Sequence, residues 1–193
     1  MDNTLTIDTY VDENGNRIDC PDFVWNYHVW CEMWLNRPDL PEGSGGWNCS
    51  DSCPVIARAS IHACGPASLN AIKKGDTYLG FDTGFMYSCV NADSAKWLVK
   101  QDKNGKMTIL DLISRGKSWI GKKIVTKAIG ENKYGVKDIT LEYKYAEGSP
   151  EERASWNRAV RYVGHRSDTR RTKMQDELLA KAKDYIYTIG KHI

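Results

Sequence analysis

Trp25-Asn26-Tyr27-His28-Val29-Trp30, followed by Gly45-Gly46-Trp47 and Asp51-Ser52-Cys53-Pro54, decides how this chain reads. The first stretch sets a histidine among aromatic residues. The second puts an acid at the end of a short strand predicted over 47–51. Phe23 to Leu35 is predicted as one long aromatic strand, and alternation along it sets His28, Trp30, Glu32 and Trp34 on one face. Alone, such a histidine reads as a hydrogen-bonded core residue. Asp51, 23 residues on, reads alone as a turn acid before Pro54; together the two are the residue types of the base and orienting group in a nucleophile–His–Asp machine. The acid would fix the imidazole tautomer and stabilise the imidazolium.

Around that pair the chain is of ordinary composition. Its 193 residues suffice for one domain with a core. A net charge of +2 from 27 basic and 25 acidic residues gives no electrostatic reason to expect a nucleic-acid or membrane partner. No apolar run approaches the roughly 18–20 residues of a membrane span. The start, MDNTLTID, lacks the basic and apolar regions of a secretory signal. Six cysteines are too few for a disulfide scaffold and are expected reduced, in a cytoplasmic protein. Cys49, Cys53, His62 and Cys64 are zinc-ligand types, but Cys-x3-Cys-x8-His-x-Cys is not a standard zinc spacing, so free thiols are expected.

Thr4 to Val11 alternates as a strand, and 12–16 reads as a turn. Gly65 to Lys74 is predicted to hold a helical turn. Phe85–Val90, Met107–Leu112, Ile120–Ala128 and Ile139–Tyr145 are predicted strands, with the chain turning away from Ala92 toward Trp97. Helical period enters with Trp156, Ala159, Val160 and Val163. Ser149 is the expected N-cap, Pro150 the first helical residue, and Glu152 the closing member of a capping box. A second amphipathic helix is predicted from Leu178 to Ile189, with Gly190 as its stop.

The opening segments resemble those in which animal transglutaminases carry their catalytic His and Asp, at this spacing. Asn70 to Asp76 and Ile124 to Gly130 are also similar to that family's core. The resemblance implies an α+β, papain-like transglutaminase core, mainly antiparallel sheet with C-terminal helices, present here in part over residues 1–163. Residues 164–193 would be a polar linker and an amphipathic helix. His28 and Asp51 then stand at the catalytic positions, and Trp25 and Trp30 at the wall of the substrate tunnel. The family's nucleophile is a Cys in a Gly-Gln-Cys-Trp turn well upstream of the His, and no such segment stands in this sequence. Cys31, Cys49 and Cys64 are not expected to replace it. The chain is therefore expected to be the C-terminal half of the core, inactive alone, with the missing half as a possible partner.

Val90-Asn91-Ala92-Asp93 and Tyr143 to Arg153, through Glu147-Gly148-Ser149-Pro150, resemble the family's Ca²⁺-binding segments. The resemblance implies Asn91, Asp93, Glu147 and Glu152 as ligands, oxygen donors of the kind a hard cation takes. Asp2, Thr6 and Asp22 resemble remnants of a weaker cation site. The implied reaction is acyl transfer from glutamine to lysine or another amine, on protein substrates. The alternative is a non-catalytic calcium-binding or scaffold protein derived from a transglutaminase.

Overall fold

The computed structural model describes residues 5–19, 22, 24–52, 64–130 and 132–163. A first sheet is ordered β2-β1-β6-β7, from β1 (Thr6–Val11), β2 (Arg17–Ile18), β6 (Asp93–Gln101) and β7 (Met107–Gly116). A second is β3-β4-β5, from β3 (Cys31–Leu35), β4 (Gly46–Ser50) and β5 (Ala67–Ser68). β8 (Val125–Lys127) and β9 (Val136–Asp138) form a hairpin. Pairing is antiparallel except between β1 and β6. The helices are α1 (Leu69–Lys74), α2 (Thr83–Asn91), α3 (Thr140–Tyr143) and α4 (Pro150–Val163), with a 3-10 turn at Thr77–Leu79. None of the described helices is long and apolar enough to cross a membrane.

One core joins β4, β5 and the four α-helices. Leu5, Cys49, Leu69, Ile72, Met86, Tyr87, Val90, Ile139, Tyr143 and Ala159 are buried together, with Trp30, Phe85 and Trp156 packed against them. Gly75 shows how tightly α1 meets α4. It ends α1 in the left-handed region, at φ 77°, and a Cβ there would stand 2.2 Å from the Ser155 carbonyl oxygen. The turn at 12–16 forms as expected: the Asp12 carboxylate accepts from the Asn14 and Asn16 amides, and Gly15 supplies φ 81°.

Several predicted elements differ. Residues 85–90 are helical, not extended. Phe, Tyr and Val favour strands in isolation, but here Met86 and Val90, and Tyr87 and Asn91, are buried in pairs four residues apart. The expected turn after Ala92 is instead the start of β6. Within 139–145, Thr140–Tyr143 form a helical turn, not a strand: Ile139 and Tyr143 are buried and Leu141 between them is exposed. Asp138 accepts the Thr140 amide and starts that turn. Within 120–128 only 125–127 is strand. The long aromatic strand shortens to Cys31–Leu35, so His28 lies in irregular chain before it. Trp30 and Glu32 do turn to one side, both meeting Tyr143. Trp34 is exposed and packs edge-on against Trp47, its cross-strand neighbour. The second predicted helix, 178–189, lies outside the described residues, as do Asp2, Cys53 and His62.

Candidate active site

Two strand ends build the site. β3 and β4 pair with Cys31 opposite Ser50, so residues just before β3 and just after β4 emerge together at one end of the sheet. There His28 Nε2 and Asp51 Oδ2 are 2.5 Å apart. Both are sheltered, with side-chain exposures of 13 % and 1 %. A carboxylate on Nε2 puts the ring proton on Nε2 and the basic lone pair on Nδ1. Asp51 is itself fixed through its backbone. Its amide donates to the Cys64 carbonyl, which also accepts the Ser50 hydroxyl. The Cys64 amide in turn donates to Asp82.

Aromatic packing holds the imidazole. Trp25 stacks on it at 4.3 Å with planes 8° apart, and Trp30 lies tilted against it at 5.7 Å. The Trp30 indole donates to the Tyr143 hydroxyl, which donates to Glu32. These residues open onto a cleft of about 460 Å³, lined also by Trp119, Lys122 and Lys123. Trp25 and Trp30 therefore line the cleft beside His28, where a tunnel wall was expected.

Cys49 lies beneath this layer and is fully buried. Burial, reinforced by the Glu32 carboxylate, pushes its thiol up to about 12, which disfavours the thiolate a nucleophile needs. Cys31 is exposed on the sheet. The thiol that does reach the pair is Cys89, on α2. Among the described residues, one donor atom each from His28, Asp51 and Cys89 lie within 4.8 Å of one another. Sequence reasoning missed Cys89 because residues 85–90 read as a strand, which gave its side chain no reason to meet His28. Arg37 was missed too. Buried between the strands, it donates to Asn48, to the Pro66 carbonyl and to Asp39, tying the loop before β4 to the chain entering β5.

The second constellation forms where α2 runs into β6. Asn91 donates to Glu152 and to Tyr87, while its own side-chain oxygen is buried without a partner. Asp93, fully buried, accepts from Arg115 at 2.8 Å and from Arg153 at 3.1 Å. Arg153 also grips Glu152. Asn91, Asp93 and Glu152 thus converge, whereas the Glu147 carboxylate is held by the buried Lys144, which also donates to the Ile120 carbonyl. The converging donors are of the kind a hard cation takes: oxygens, two of them carboxylates, with the Asn91 oxygen a buried acceptor left unsatisfied. Arg153 holds those carboxylates now, and Lys144 holds Glu147, so an ion would have to compete with them. The capping box is only half made. Ser149 accepts the Glu152 amide, as an N-cap should, but the Glu152 carboxylate is spent on Asn91 and Arg153. Asp22 accepts the Asp8 amide and so anchors β1.

No family model matches the chain. Human protein-glutamine gamma-glutamyltransferase 4 is 46 % identical over 169 residues, covering 86 % of this chain and 24 % of its own length. The chain belongs to the animal transglutaminase family. A hemocyte protein-glutamine gamma-glutamyltransferase of the horseshoe crab Tachypleus tridentatus is 39 % identical over 169 residues, again across 84 % of this chain. The crystal structure of red sea bream transglutaminase superposes with a TM-score of 0.59 at 36 % identity, covering 83 % of this chain and 23 % of that one. The transglutaminase match is thus one-sided: the chain spans about a quarter of the length of the curated relatives it matches.

Proposed function

We propose that this transglutaminase chain supplies the base, the orienting acid and a cation site for acyl transfer from protein glutamine to a primary amine. The observation that carries the reading is the sheltered His28–Asp51 contact, with Nε2 committed to the acid. A cysteine thiolate from another segment attacks the glutamine carboxamide, His28 protonates the departing ammonia, and a thioester forms. His28 then takes a proton from the incoming amine, which attacks the thioester and returns the thiolate. Trp25 and Trp30 hold the ring and keep water from the thioester. Cys89 is poorly placed to be the nucleophile, since it sits near the carbonyl end of α2, where the helix dipole opposes a thiolate.

Asn91, Asp93, Glu147 and Glu152 would hold Ca²⁺, which would supply positive charge linking the start of β6 to the first turn of α4. The unsatisfied Asn91 oxygen supports that reading. Glutamine-donor peptide, a fluorescent amine and millimolar Ca²⁺ make the assay. The chain alone should incorporate no amine. Mixed with a polypeptide carrying a relative's Gly-Gln-Cys-Trp half-core, it should do so, and His28→Ala should abolish the signal. Activity of the complemented mixture that survives His28→Ala would overturn the base assignment. Ca²⁺ should raise the melting temperature, with roughly 2.7 kcal/mol of stabilisation at a hundredfold excess over Kd, and an unshifted melt would remove the cation assignment.

A further inference from the structure

We infer that His28, Asp51 and Cys89 form a site for Zn²⁺, separate from the Asn91–Asp93 constellation. The three residues come from irregular chain before β3, the end of β4 and α2, and their donor atoms lie within 4.8 Å of one another. Zinc bonds to N, O and S are about 2.0–2.3 Å, which sets tetrahedral donors roughly 3.5 Å apart. To hold the ion, the sulfur has to come in by about an ångström and the 2.5 Å His28–Asp51 pair has to open by about as much. Thiolate and imidazole select zinc over calcium or magnesium, which prefer oxygen alone.

One ion touching both His28 and Asp51 takes the place of the proton now lying between Nε2 and Oδ2. The ring proton moves to Nδ1, and the Cys89 thiol gives its proton to solvent. Binding thus releases one proton per ion. The ion also answers the electrostatic difficulty of Cys89: near the carbonyl end of α2 a free thiolate is disfavoured, whereas a coordinating thiol is deprotonated by the metal itself. The fourth position falls to water or a ligand, because His28 and Cys89 both line the 460 Å³ cleft. Three protein ligands and one open position make a site that exchanges its fourth ligand.

Titration of the chain with Zn²⁺ against a chromophoric chelator tests this, with Co²⁺ as a spectroscopic stand-in. One Zn²⁺ should bind per chain, with one proton released. The Co²⁺ complex should show a thiolate charge-transfer band and tetrahedral d–d bands. Cys89→Ser should remove the charge-transfer band and weaken Zn²⁺ at least tenfold, while Cys31→Ser retains both. In the unaltered chain, Zn²⁺ should protect Cys89 from iodoacetamide, a readout that needs no variant to fold. A band that persists in Cys89→Ser, or that disappears instead in Cys53→Ser or His62→Ala, would overturn the assignment. So would Cys89 alkylation at an unchanged rate in saturating Zn²⁺.

Discussion

Replacing Asp93 by Ala should cost stability even with no cation present. The carboxylate is fully buried and accepts from Arg115 and Arg153, so it ties β6 to β7 and to the first turn of α4. Removing one partner of a buried ion pair costs about 3–5 kcal/mol. Two features reduce that here. The stranded guanidiniums are 37 % and 23 % exposed and regain some hydration. Both also lie over the Trp156 ring, and Arg153 keeps Glu152. A loss of about 2–3 kcal/mol remains. At roughly 2–4 °C per kcal/mol for a chain of this size, the melt should fall by roughly 4–12 °C. Circular-dichroism melts in excess chelator read this directly. Glu151→Ala is the control, an exposed acid in the same turn of α4 that contributes about 0.3–1 kcal/mol through the helix dipole. An Asp93→Ala melt no lower than that of Glu151→Ala would refute the reasoning, and would leave Asp93 as a cation ligand alone.

Gly75→Ala should also lower the melt in chelator, since alanine adds about 1–2 kcal/mol of left-handed strain to a Cβ 2.2 Å from the Ser155 oxygen; an unchanged melt would show that α4 is free to yield. The Cys49 thiol, pushed up to about 12 from an ordinary 9.0, favours the fold while protonated, so its contribution is full below pH 9 and declines as pH rises toward 12. Native alkylation near pH 8 should label exposed Cys31 and spare Cys49, and equal labelling would contradict the burial. Tyr27, Val29, Trp34 and Trp47 are exposed close together along the chain around β3 and β4, so a hydrophobic dye should bind strongly; Trp34→Ser should reduce that binding, and no reduction would move the patch elsewhere.

The sequence by itself determined what was local or written as a motif. Alternation gave β1, Asp12 and Gly15 gave the first turn, and Ser149-Pro150 gave the start of α4, because each depends on neighbours within four residues. It also paired His28 with Asp51, whose meeting follows from the antiparallel register of the strands that carry them. Only the tertiary structure decided what depends on burial from outside the segment. Residues 85–90 carry strand-favouring side chains, yet helix wins, because four-residue spacing buries Met86 with Val90 and Tyr87 with Asn91. That same switch turns Cys89 toward His28, a placement no alternation rule could give. Glu152 shows the competition in one side chain. Its amide obeys the local capping rule, while its carboxylate answers Asn91 and Arg153, one of them 61 residues away. Charge buried in a packed interior must be met by whichever partner the fold brings near, and local sequence does not name that partner.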